Sequence, residues 1–126
     1  MPEGLGISDD EVLRYVAATF PSVWTLEVLL ALKRQGDQCG REDLVSKLRA
    51  SDLVVSKALD ALVAAGLVSV DGDTVSYVPI NAAMAASVER TEELYRRRPR
   101  AVFRAIVLAS SSSATAFADA FRLRRP

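Results

Sequence analysis

The reactive side chains are few. Among 126 residues there is no histidine and one cysteine, Cys39. The commonest general base and metal ligand is therefore missing, and a lone thiol closes neither an internal disulfide nor a structural zinc site. Cys39 precedes Gly40 at a helix start, where the helix dipole would lower a thiol pKa. Reactivity also needs an electropositive pocket, so a loop cysteine is the simpler reading and a redox sensor the sharper one. Asp71 and Asp73 flank Gly72 in the manner of turn formers rather than of a general acid–base pair. The glycines are scattered, and none precedes a Lys-Ser/Thr pair at phosphate-loop spacing. No enzymatic activity, resident metal or cofactor is expected.

Cationic and hydroxyl side chains offer more. Arg96, Arg97, Arg98, Arg100 and Arg104 are the densest charge in the chain. They read either as a solvated helix end, with cations near a C-terminal dipole, or as a patch for nucleic-acid backbone or an acidic partner. A second, looser set comprises Arg41, Lys47, Arg49 and Lys57, with Ser51, Val54 and Ser56 among them. The net charge is zero, which argues against strong nonspecific nucleic-acid binding, yet residues 80–126 carry nine bases against four acids, so most of the positive field lies there.

The looser set is positioned by the stretch from Ser51 to Val70, SDLVVSKALDALVAAGLVSV. Ser51 is a good N-cap, and Asp52 suits the positive end of the helix dipole. Val55, Leu59, Leu62 and Val63 recur at helical spacing and mark a face for burial. Gly66 can close the helix in the left-handed conformation. Leu67–Val70 and Thr74–Val78 alternate apolar and polar residues around Asp71-Gly72-Asp73, which predicts a β-hairpin.

Residues 40 to 78 resemble the core of a winged helix-turn-helix of MarR-like and related bacterial regulators. The resemblance rests on Val54-Val55-Ser56-Lys57-Ala58-Leu59 and Ala64-Ala65-Gly66-Leu67-Val68, which stand where that family has its recognition helix and the start of its hairpin. It covers about forty residues and is more specific for the fold than for any one regulator. It implies double-stranded DNA as partner, with the helix over residues 51–65 in the major groove. Ser51, Val54, Ser56 and Lys57 would face bases, and Arg41, Lys47 and Arg49 would face phosphates. Such regulators commonly carry a base at the hairpin tip. Here Asp71 and Asp73 stand in that place, which would repel phosphates. That departure keeps a second class open, a winged helix that docks on the transcription machinery or a regulatory partner.

The remaining elements follow from caps and periodicity. Ser8 with Glu11 fits a capping box, followed by an apolar stripe of Val12, Leu13, Val16 and Ala17 up to Pro21. Ser22 caps a helix over Val23–Gln35 in which Trp24, Leu26, Val28, Leu29, Leu30 and Leu32 are apolar nearly all round, the expected central buried helix. Lys33 and Arg34 suit its end and Gly36 closes it. Gly40–Leu48 is a short helix with Leu44, Val45 and Leu48 inward, and Arg49-Ala50-Ser51 is the turn after it. Asn81 caps a helix over Ala82–Arg97, with Met84, Val88, Thr91 or Glu92, and Tyr95 at helical spacing. Its smooth start at Ala82–Ala86 suits close helix packing. Ala101–Ala109 resumes as a helix, Ser110–Ser113 read as a joint, and Phe117, Phe121 and Leu123 form a final apolar stripe.

The expected fold is thus mainly α (α+β). Residues 1–79 form a winged helix-turn-helix with a two-stranded wing, and residues 80–126 form a helical extension that makes a homodimer or binds a partner. The composition, half hydrophobic and 25% charged, suits one compact core. No apolar run is long enough to span a membrane, and the acidic N-terminus lacks a secretory pattern, so a cytoplasmic protein is expected.

Overall fold

The computed structural model describes residues 8–36 and 38–110. Over these residues the protein is mainly helical with one small antiparallel sheet. The order is α1 (Asp9–Thr19), α2 (Val23–Gln35), β1 (Cys39–Gly40), α3 (Arg41–Leu48), α4 (Asp52–Ala64), β2 (Val68–Asp71), β3 (Thr74–Tyr77) and α5 (Ala82–Arg97). Residues 99–110, here α6, are helical up to the last described position.

Side chains that accept from orphan backbone N–H groups start four of these helices. Ser8 and Glu11 form the full capping box of α1. Ser22, Ser51 and Asn81 accept from the backbone of Thr25, Val54 and Met84 and so begin α2, α4 and α5. Gly36 and Gly66, both at positive φ, end α2 and follow α4. Pro99 opens α6, where its missing N–H costs nothing.

The core is centred on α2 packed against α4. Leu26, Val28, Leu29, Leu30 and Leu32 of α2 meet Val55, Ala58, Leu59 and Leu62 of α4 in one buried cluster. Val12 and Val16 of α1, Val88 and Leu94 of α5, and Val102 and Ile106 of α6 extend it. Two expectations for this core are corrected. Trp24 is 42% exposed, because it lies in the first turn of α2, before the buried run that begins at Thr25 and Leu26. Val63 is 47% exposed, because the inward stripe of α4 runs through Val55, Ala58, Leu59 and Leu62 and Val63 falls beside it. In α3 only Leu44 is fully buried, with Val45 and Leu48 packed partly against the cluster.

The sheet is the main departure from the expected fold. It has three strands in the order β1-β3-β2, all antiparallel, rather than a two-stranded hairpin. Gly40, expected in the third helix, is a strand residue paired with Thr74 and also the N-cap position of α3. The hairpin loop is Gly72-Asp73, with positive φ at Gly72 alone, the pattern of a II′ turn.

The α5 helix has the expected bounds, with Val88, Thr91 and Leu94 buried. Side-chain bonds and ion pairs join it to α2, Arg34 also pairing with Glu92 at 3.5 Å. Lys33 Nζ donates to Glu92 Oε1 at 2.8 Å, and the Tyr95 hydroxyl donates to Glu27 Oε2 at 2.6 Å. Ser110, expected in a joint, is still helical, and its hydroxyl donates to the Pro21 carbonyl at 3.0 Å. Ser111–Ser113 and the Phe117, Phe121 and Leu123 stripe lie outside the described residues. No single helix among the described residues is long and apolar enough to cross a membrane.

Candidate nucleic-acid interface

The α3 helix ends when Arg49 takes the left-handed conformation at φ 53 and ψ 39. The Arg49 and Ala50 N–H groups donate to the Ser46 and Val45 carbonyls, which satisfies the helix end and turns the chain sharply. Ala50 packs partly against the core and Ser51 caps α4 at once. The two helices are thereby joined by Arg49-Ala50-Ser51, the expected turn.

Once Val55, Ala58, Leu59 and Leu62 are buried, helical geometry dictates what lies opposite. Leu53, Lys57, Asp60 and Ala64 form a bare stripe, all exposed. Ser51 and Asp52 are exposed beside it, and Val54 and Ser56 are half-buried on its flanks. Lys57 therefore stands in the open, one turn beyond Leu53, and Leu53 is 63% exposed.

Arg41 is the hinge of this surface. Its backbone N–H donates to the Asp73 carbonyl at 2.8 Å, and its guanidinium donates from Nη1 to Ser56 Oγ at 2.9 Å. The start of α3, the hairpin loop and the middle of α4 are so brought together. Arg41 keeps further donors, and the Ser56 hydroxyl can still donate its own proton. Lys47, by contrast, turns back to the Gln35 side-chain carbonyl. Arg49 is exposed at the turn. Of the expected site residues, Ser51, Ser56, Lys57 and Arg41 share one region around α4, whereas Lys47 points toward the end of α2.

The electrostatics of this region are mixed. Arg41, Lys47, Arg49 and Lys57 are set among six acids on α3, α4 and the hairpin: Glu42, Asp43, Asp52, Asp60, Asp71 and Asp73. The face therefore has no net positive field of its own, and Asp71 and Asp73 are exposed at the hairpin tip. Such a surface can make a few directed hydrogen bonds but cannot hold a polyanion by charge alone.

Cys39 is 5% exposed beneath this region, and its thiol donates to the Gly40 carbonyl. Burial, reinforced by the Asp43 carboxylate, pushes the thiol pKa up, away from the reactive thiolate. The described residues bring together no group of three or more His, Cys, Asp or Glu side chains that could hold a metal ion.

The arginine block stands apart. Arg97 and Arg98, at the end of α5, both pair with Asp9 at the start of α1, at 3.3 and 3.2 Å. Arg100 and Arg104 lie one turn apart on α6 and are exposed, as is Arg96. Two features here were missed in the sequence. Leu53 was legible as the residue one turn before Lys57 on the outer face. The Asp9 pairing carried no local signal, since its partners are 88 and 89 positions away.

Comparisons of the chain with protein-family models, with curated proteins and with solved structures gave no match.

Proposed function

We propose that the protein is a DNA-binding transcriptional regulator of winged helix-turn-helix type, similar to the MarR-like regulators, acting in the cytoplasm. In this reading α3 and α4 are the helix-turn-helix, the β2–β3 hairpin is the wing and β1 is a short strand added to it. The observation that carries the reading is the geometry of α4. It is capped by Ser51 directly after a left-handed turn, rooted by one buried face, and bare over the first turns of the other. That is what a helix needs to lie in a major groove. Lys57 would donate to a guanine edge or a phosphate, Ser56 to either, and Val54 would meet a thymine methyl. Arg41, already bonded to Ser56, would spend its remaining donors on phosphate, and Arg49 would reach phosphate from the turn. A second copy would supply the paired half-site. Phe103, Val107 and Leu108 of α6 support this, because they leave an exposed apolar face on the helical extension.

One observation favours a second reading, a winged helix that binds a protein. Leu53 is bare at the centre of a face with more acids than bases. An apolar anchor ringed by charges suits a protein partner better than a phosphate backbone. A salt titration of binding to genomic duplex fragments separates the two. Sequence-selective binding whose affinity falls steeply with salt is the expected result. Absence of binding even at low salt would overturn the DNA reading and leave the protein partner.

A further inference from the structure

The arginines at the α5–α6 junction occupy a place that the α4 reading does not use. α5 stops at Arg97, Arg98 takes a non-helical conformation at φ −135, and α6 starts at once on Pro99. The junction thereby folds two helix ends onto one spot. Arg97, Arg98, Pro99, Arg100, Ala101 and Arg104 line a concavity of about 450 Å³. Its four arginines come from the end of one helix, the junction and the first turns of the next. The only carboxylate paired with any of them among the described residues is Asp9, which is shared by Arg97 and Arg98. Arg100 and Arg104 have no ion-pair partner among the described residues. The concavity therefore holds an excess of three positive charges from its side chains, while the partial positive charge at the start of α6 is offset by the partial negative charge at the end of α5.

The surroundings decide what kind of anion fits. Asp10 and Glu11 follow Asp9 on α1, and Glu89 and Glu93 lie on α5 before Arg97. An extended polyanion, such as a nucleic-acid backbone running across either helix, would meet these acids next to the arginines. A compact anion would meet the arginines alone. We propose that the α5–α6 junction binds a compact, multiply charged phosphate anion, of the pyrophosphate class, held by Arg97, Arg98, Arg100 and Arg104. Planar guanidinium forks suit the tetrahedral oxygens of phosphate and can bind two at a time. Asp9 then acts as the resident competitor, holding Arg97 and Arg98 until the anion arrives. Its carboxyl is held below the usual carboxylate range chiefly by its bond to Arg97, so it stays charged in that role. Binding at this junction is independent of whether α4 reads DNA.

The test is calorimetric titration of the full chain with pyrophosphate at ionic strength fixed with chloride. Saturable binding is expected, with inorganic phosphate weaker. Arg100→Gln with Arg104→Gln should weaken it by about tenfold or more, since two charge-assisted contacts are lost. Both side chains are exposed, so this variant should keep the wild-type circular dichroism and melting temperature. Asp9→Asn, which removes the competitor, should tighten binding several-fold. Parallel arms use vesicles containing phosphatidylserine and a random-sequence DNA duplex. Pyrophosphate affinity unchanged in the double arginine variant would overturn the proposal. So would arginine-dependent binding to vesicles or duplex without binding to pyrophosphate.

Discussion

Two leucines on α4 give the sharpest test of how this helix is built. Leu59 is 2% exposed and lies between α2 and α4, while Leu53 is 63% exposed on the outer stripe of the same helix. Removing the Leu59 side chain beyond Cβ forfeits its burial, and the cluster around it cannot fully close the gap. For a leucine this well enclosed, Leu59→Ala should cost about 2–5 kcal/mol. In a chain of this size each kcal/mol lowers the melting temperature by roughly 4 °C, so a fall of at least about 8 °C is expected. Leu53→Ala removes a side chain that is mostly in water already, and alanine is the better helix former, so the change should stay within about 0.5 kcal/mol. Urea and thermal denaturation followed by far-ultraviolet circular dichroism measure both. Equal losses in the two variants would refute the assignment of inner and outer faces, and with it the claim that the Lys57 side is available to a partner.

Three further outcomes follow from the same geometry. Lys57→Ala should weaken specific DNA binding by about 1–3 kcal/mol if the lysine reads a base, at one position of the site, as measured by competition with base-substituted duplexes. Asp71→Asn with Asp73→Asn should strengthen DNA binding and steepen its salt dependence, by removing two negative charges from the hairpin tip; unchanged affinity would mean the tip lies away from the phosphates. The Lys33–Glu92 pair should shape stability against pH. The Lys33 bond holds the Glu92 carboxyl below its ordinary value, and the Glu92 bond holds the Lys33 ammonium above its own. The pair's contribution should therefore be present at neutral pH. It is lost on acidification, beginning at the ordinary carboxylate range and continuing below it, and on alkalinisation above the ordinary lysine value. Glu92→Gln should flatten the acid limb of that profile in urea titrations at stepped pH.

Much of the fold was legible because its punctuation is local. Ser8 with Glu11, Ser22, Ser51 and Asn81 each fix a helix start through a bond to a residue three positions on. Gly36 and Gly66 mark ends for the equally local reason that they adopt positive φ. What escaped depends on distant partners. Cys39-Gly40 has no strand pattern of its own and becomes a strand because β3 offers it a free edge. Trp24 was misplaced because a helix that is apolar nearly all round does not reveal which side faces the core, and Val63 because it falls just beside the inward stripe of α4. The candidate site was legible as a set of residue types on α3 and α4. The Arg41–Ser56 bond and the bare Leu53, which decide what those residues can reach, follow from how α3 docks on α4.

The added strand has a mechanical consequence. β3 is held on one side by β2 and on the other by β1, and β1 runs without a break into α3. With the Arg41 N–H bonded to the Asp73 carbonyl, the hairpin tip and the first turn of α3 form one lever rather than two independent parts. A force applied at Gly72 by any bound molecule is delivered to Arg41 and, through its guanidinium, to Ser56 in the middle of α4. Tip and helix should thus report on each other: occupancy at one end should slow amide exchange at the other, even where nothing touches it.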